Sequence, residues 1–332
     1  MPKKSIIVVG MHRSGTSAIA RSLESIGIDL GERLIAGRVE NQKGFFEDQR
    51  IVNLNEDILY DLNSRWENVF LPEITDAIAQ RYYAKAEAII QSLSTTDSDF
   101  GFKDPRVTRL FPFWKKVLLD NGINPIIVMS NRHPGSVAKS LAIRDYYPNN
   151  YSIILWLCYQ ISALGILTQE KGFVVDYDNL MDHPQDQIER MSRLTDNSIN
   201  PDLAAEFADG FIDNNLRHST LSENSQQTDP ALNELSSSLY AFIKDLSSQN
   251  SITMQPGQIN QANKLIDDVN GYFEDNKLFI SDMDAMGFGL KKRLFNKIFE
   301  KQRELAAAES KLDWIEGQAV YKLLGSIKRT LF

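Results

Sequence analysis

Apolar residues in this chain gather into short runs separated by longer amphipathic stretches. The runs are Ser5 to Val9, Phe100 to Phe102, Pro125 to Met129 and Phe173 to Val175. Helical periodicity fills the intervals at 15–27, 49–63, 74–93, 107–121, 135–144 and 151–170. Strands alternating with helices predict an α/β fold, a parallel sheet flanked by helices and covered on both faces. Such sheets bind ligands beyond the carboxyl ends of their strands. Here those ends are polar: a loop follows Val9, Lys103-Asp104 follows Phe102, and Asn131-Arg132 follows Ser130. Three cation-bearing strand ends share one rim.

The pattern changes near residue 220. Leu221 to Pro230 is polar and reads as a linker, and Ser247 to Ser251 is a second polar stretch between helical segments. From about Gly289 the chain reads as one long helix. Ile298, Leu305, Leu312 and Ala319 recur at heptad spacing, with Leu294, Ala308 and Ile315 on companion positions and Lys301 interrupting that row. The expected organisation is an α/β domain over 1–222, a helical extension over 223–285, and a long amphipathic helix over 286–332. That last helix has a coiled-coil pattern suited to homo-oligomer contact. Its tail sets Lys322, Lys328 and Arg329 among Leu323, Leu324, Ile327, Leu331 and Phe332, a surface that also suits peripheral membrane contact.

Composition narrows the partners. A net charge of −8 argues against a general nucleic-acid binder, so an anionic small ligand needs a local cluster of Arg and Lys. The single cysteine, Cys158, forms no intramolecular disulfide, and its apolar surroundings predict a buried core thiol. No His, Cys and carboxylate cluster has metal-ligand spacing, so no metal is expected. The start runs straight into the first strand without a signal-peptide pattern, and no uninterrupted apolar stretch reaches bilayer length. A cytoplasmic location is the expectation.

The first strand turns into Gly10-Met11-His12-Arg13-Ser14-Gly15-Thr16-Ser17 and then a helix. Glycines admit close backbone approach, and the helix start adds partial positive charge. His12, Arg13, Ser14, Gly15, Thr16 and Ser17 thus form a P-loop-type phosphate cradle. The lysine that a nucleoside triphosphatase uses to reach its outer phosphates is replaced by Thr16. A second constellation runs from Asn131 to Ser140, where Arg132 at a strand end and Ser140 on the next helix can converge on one phosphate.

Together these motifs resemble the sulfotransferases that use 3′-phosphoadenosine 5′-phosphosulfate (PAPS). In that family a basic-Ser-Gly-Thr-Thr/Ser loop binds the 5′-phosphosulfate, and Arg with Ser eight residues on binds the 3′-phosphate. Arg13 to Ser17 and the Arg132/Ser140 pair fit both. The chain looks most like bacterial members carrying Gly-Met-His-Arg-Ser-Gly-Thr, an Asn-x-Lys-Gly-aromatic-aromatic-Glu segment (Asn41 to Glu47) and Lys-Asp-Pro-Arg (Lys103 to Arg106). The resemblance covers roughly the first 190 residues. It implies a PAPS donor, no metal, and an acceptor hydroxyl on a saccharide or glycoconjugate. It also implies Glu47 as general base, with Glu40 and Asp48 in reserve, and Lys103 and Arg13 stabilising the transition state.

Other readings stand beside these. Asp48 suits the cap of the helix that follows it. Arg106 can hold Asp104 or a substrate anion, and Lys103 can pair with Asp104. His12 either donates to phosphate or packs, His133 is expected to be structural, and Arg217 with His218 could close over the nucleotide. Trp66, Phe45, Phe46 and Phe70 could stack on sugars or fill the core. Asp176 ends a strand as a Walker B acid does, which makes a P-loop kinase or NTPase the alternative enzyme. A non-catalytic nucleotide-binding scaffold with a coiled-coil partner helix is the third reading.

Overall fold

Four strands, β1 (Lys4–Val9), β2 (Phe100–Lys103), β3 (Asn124–Asn131) and β4 (Gly172–Asp176), pair in parallel in the order β2-β1-β3-β4. The computed structural model describes residues 3–37, 43–195, 197–212, 229–285 and 301. Its helices in chain order are α1 (Thr16–Leu23), α2 (Gln49–Asp61), α3 (Asp76–Leu93), α4 (Val107–Asp120), α5 (Pro134–Asp145) and α6 (Asn149–Leu167). Then follow α7 (Tyr177–Asp182), α8 (Pro184–Ser192), α9 (Pro201–Ala205), α10 (Pro230–Ser247) and α11 (Pro256–Asp275).

Register places the functional rim. Val8 lies opposite Lys103, Val9 opposite Met129, and Asn131 opposite Asp176, so the carboxyl ends of all four strands line one edge. Alternation divides the strand side chains between two layers. Ile6, Val8, Ile126, Val128, Phe173 and Val175 join Ile19 and Leu23 of α1, Leu180 of α7 and Met191 of α8 in one buried cluster. Ile7, Val9, Ile127, Met129 and Val174 point the other way and are buried where α4, α6 and α10 cover the sheet. Each such fully buried aliphatic side chain contributes about 1.5–3 kcal/mol. This is the α/β sheet that the apolar runs predict.

Two details depart from periodicity. The helix expected over 15–27 stops at Leu23, continues as a short 3-10 turn, and ends at Gly27 with φ 73°. α6 has 19 residues and a mean hydropathy of 1.4 in its most apolar window, long and apolar enough to cross a membrane by length and composition alone. That corrects the expectation that no stretch reaches such length. The reason lies in packing: α6 is a core helix contacting α4, α5, α10, α11 and β3, and its apolar character serves burial on every side. Cys158 on this helix is buried and outside any disulfide, in accord with a core thiol.

The chain divides into two compact units, Met1–Lys277 and Leu278–Phe332. α10 and α11 belong to the first unit and pack on α6. In the second, residues 278–285 are helical. The heptad helix over 286–332 lies outside the described residues except Lys301, as do Glu40, Asn41, Arg217 and His218.

Candidate active site

β1 delivers the chain to Gly10 at φ 141°, a conformation L side chains rarely adopt. A Cβ here would lie 2.9 Å from Cβ of Ser130, so β3 presses against the loop. Thr108 at the start of α4 clasps Gly10 from the other side: Gly10 N–H donates to its Oγ1 at 2.8 Å, and the hydroxyl donates back to Gly10 C=O at 3.2 Å. Ser14 donates to Met11 C=O at 2.6 Å, and Ser130 donates to Ser14 C=O at 2.6 Å. Gly15, at φ 91°, then starts α1, and no side chain caps that helix. An uncapped helix start leaves backbone N–H groups and the positive end of the dipole able to take an anion. Gly15 is fixed by Tyr177, whose Cδ2 would stand 2.2 Å from an added Cβ.

Arg13 has φ 67°, a strained position for a residue with a side chain. Its Nε donates to Ser140 Oγ at 2.8 Å, which ties the loop to α5. Arg132, leaving the end of β3, donates from Nη1 to Arg13 C=O at 3.0 Å and lies 4.3 Å over the Tyr177 ring. Arg13, Arg132 and Ser140 therefore meet. Arg13, expected at the transferring end of a donor, turns toward the residue expected at the other phosphate.

Lys103 and Glu47 form the second half of the site. Lys103 is 2% exposed and Glu47 7%. The ammonium donates to Glu47 Oε1 at 2.6 Å, to Phe45 C=O at 2.8 Å and to Ser17 Oγ at 3.2 Å. All three of its donors are taken. The left-handed turn at Phe46, φ 53°, aims both the Phe45 carbonyl and the Glu47 carboxylate at this one cation. Burial pushes the Glu47 carboxyl above its ordinary range, while Lys103 opposes that shift and the Asp104 charge adds to it.

Neighbouring residues take supporting roles. Asp48 caps α2 by accepting Arg50 N–H at 2.8 Å and pairs with the Arg50 guanidinium, as its place before a helix suggests. Arg106 holds Asp104 at 2.9 Å and Glu56 at 2.5 Å, while Asn55 donates to the other Asp104 oxygen at 2.8 Å. Asp104 thus pairs with Arg106, and Lys103 with Glu47. His133 caps α5 by accepting Gly135 N–H at 3.1 Å, a structural role. Asp176 accepts Asn179 N–H at 3.2 Å as the cap of α7 and Asn131 Nδ2 at 3.0 Å, and burial raises its carboxyl.

The aromatics are engaged with protein partners. Trp66 has His12 at 4.3 Å and the Arg144 guanidinium at 5.3 Å; Phe46 packs edge-on to Phe211 at 5.7 Å; Lys277 lies 5.9 Å over Phe70. Lys43 donates to the carbonyls of Gly210 and Phe211, which fastens the Glu47 loop to a single π-helical turn, Glu206–Phe211. A cavity of about 600 Å³ runs along the flank between α4 and α6, lined by Thr108, Phe111, Lys115, Leu119 and Ile166.

Sequence reasoning missed Thr108, Ser130 and Tyr177. Ser130 and Tyr177 stand at the ends of β3 and β4, and the strand-end rule could have flagged them. Thr108 carries no such signal.

No family model matches the chain, and no curated protein does. Among solved structures it is similar to the sulfotransferase domain of the Synechococcus PCC 7002 olefin synthase, at 15% identity over 79% of this chain and 94% of that one, with a TM-score of 0.41. It is similar to sulfotransferase STF9 from Mycobacterium avium at 15% identity, over 76% and 79%, with a TM-score of 0.40. A retinol dehydratase in complex with androsterone and the inactive cofactor PAP gives 11% identity, 81% and 82%, and a TM-score of 0.31. At such scores the likeness stands beside the geometry and carries none of it.

Proposed function

We propose that the chain is a sulfotransferase that moves a sulfuryl group from PAPS to an acceptor hydroxyl. One observation carries this reading: two anion-binding elements on separate strands meet, through Arg13 Nε on Ser140 at 2.8 Å and Arg132 on Arg13 C=O at 3.0 Å. A nucleotide phosphorylated at two separated positions suits that arrangement, and PAPS is one. The residues fit such a donor. The uncapped start of α1 and the 10–17 loop would take the 5′-phosphosulfate, and Arg132 with Ser140 the 3′-phosphate.

The chemistry asked of the site is in-line displacement. The acceptor oxygen bonds to sulfur, the bond from sulfur to the leaving phosphate oxygen breaks, and adenosine 3′,5′-bisphosphate departs. Glu47 takes the hydroxyl proton, a role suited to a carboxylate whose affinity for protons is raised by burial. Lys103 and the helix start supply positive charge for the sulfuryl and leaving-group oxygens. Because all three Lys103 donors are occupied, reaching a sulfuryl oxygen requires exchange of one partner. A saccharide or glycoconjugate acceptor, homo-oligomer contact through the C-terminal helix and a cytoplasmic location belong to the same proposal and rest on sequence alone.

The kinase or NTPase alternative needs Asp176 for a divalent cation. Asp176 is 1% exposed, both its oxygens are bonded, and β3 separates its strand from β1. The geometry favours the sulfuryl reading. Isothermal titration tests it: adenosine 3′,5′-bisphosphate binds without divalent metal, and Arg132→Ala weakens it far more than adenosine 5′-phosphate. Equal loss for the two ligands, or label transferred from ATP and not from PAPS, overturns the proposal.

A further inference from the structure

His12 belongs to the phosphate loop, yet its side chain packs outside it. The ring lies 4.3 Å from Trp66 and 6.0 Å edge-on from Tyr159. It is 9% exposed, and its Nε2 is buried without a hydrogen-bond partner. Buried polar atoms almost always have one, and leaving one unmet costs about 1–3 kcal/mol. A residue needed only for packing would cost less here as phenylalanine or leucine. An unmet nitrogen in the loop that carries the candidate chemistry is a place kept for a ligand atom.

The surroundings define that atom. Burial holds the imidazole well below its ordinary value, and Arg106, Arg144, Lys103 and Arg13 push the same way. The ring is neutral and adds no charge toward a phosphate. A neutral ring nitrogen suits a neutral partner, and a hydroxyl both donates and accepts, so it serves either tautomer. His12 adjoins Arg13 in the loop, and its ring packs between Trp66 and Tyr159.

We propose that His12 is a positioning residue for the nucleophile: its Nε2 takes a hydrogen bond with the acceptor hydroxyl and orients it. This rests on the sulfotransferase reading. The proton still passes to Glu47, and His12 fixes the direction from which the oxygen approaches.

Water is the probe, since it is the smallest hydroxyl nucleophile. Crystals of the chain with adenosine 3′,5′-bisphosphate show an ordered water within about 3.2 Å of His12 Nε2. Release of sulfate from radiolabelled PAPS with no added acceptor falls about tenfold in His12→Phe and stays within about threefold of wild type in His12→Gln, whose amide can replace the ring nitrogen. Bisphosphate affinity and melting temperature, measured for both variants, separate this from a packing defect. If the bisphosphate fails to bind the unmodified chain, the sulfotransferase reading falls and this one with it. Normal binding with a dry Nε2, or equal sulfate release from the Phe and Gln variants, overturns this one alone.

Discussion

The two halves of the site are built from different materials. The phosphate loop is shaped by backbone: Gly10 at φ 141°, Arg13 at 67° and Gly15 at 91°, held by Thr108, Ser130 and Tyr177. The Lys103–Glu47 half is shaped by charge, a 2.6 Å ion pair almost wholly out of water. A backbone cradle is limited by sterics and is indifferent to pH. A buried pair is limited by electrostatics, and each partner depends on the other. The halves should therefore fail in different ways.

The largest effect is expected from removing one charge. Lys103→Met leaves Glu47 buried without its partner and destabilises the fold by about 3–5 kcal/mol near neutral pH. The sign with pH follows from Glu47, whose folded value is raised above its unfolded one. Stability tied to such a group is present below the unfolded value and lost as pH rises through the folded one. Urea unfolding of Lys103→Met should recover part of the loss in acid, and Lys103→Met/Glu47→Leu should recover most of it at neutral pH. A loss independent of pH would mean that the carboxylate is not the source. Next comes Glu47→Gln, which keeps the shape and removes the proposed base. Turnover from PAPS should drop about a hundredfold with bisphosphate affinity nearly unchanged; its acid limb in the unmodified chain should lie above the ordinary glutamate range.

The cradle breaks differently. Gly15→Ala forces a Cβ to 2.2 Å from Tyr177 and into a left-handed conformation. The conformation alone costs about 1–2 kcal/mol, so Tyr177→Ala in that background should restore only the steric part, at every pH. Thermal melts of the single and the double variant check this.

That contrast also sets what was legible. The turn after β1 was readable because glycine spacing after an apolar strand reports backbone geometry directly, and the four strands were readable because buried parallel strands are continuous apolar runs. Asp48 as a cap followed from its place before an amphipathic stretch. The pairing of Lys103 with Glu47 was not readable. The two are 56 residues apart, and only the register of β2 beside β1 with the turn at Phe46 brings them together. Lys103 had a nearer acid in Asp104, but that carboxylate is taken by Arg106 and Asn55. Arg13 could be placed in the loop from sequence, yet its direction depends on a left-handed residue that no spacing announces.

The smallest expected effect asks whether the halves are independent at all. Ser140→Ala removes the acceptor for Arg13 Nε, and one neutral oxygen of this kind is worth about 0.5–1.5 kcal/mol in bisphosphate binding. If cradle and ion pair act separately, Ser140→Ala and Glu47→Gln combine in kcat/KM with an interaction below about 0.5 kcal/mol. Ser17 gives a reason to expect more from its own cycle. It is the second residue of α1, inside the loop motif; its Oγ receives Lys103 at 3.2 Å and donates to Phe45 C=O at 3.2 Å. Ser17→Ala removes the contact that passes between a loop hydroxyl and the Lys103 ammonium. It should therefore couple to Glu47→Gln where Ser140→Ala does not. Additivity in both cycles would make the two halves separate devices, and coupling confined to Ser17 would make that hydroxyl the hinge between donor and base.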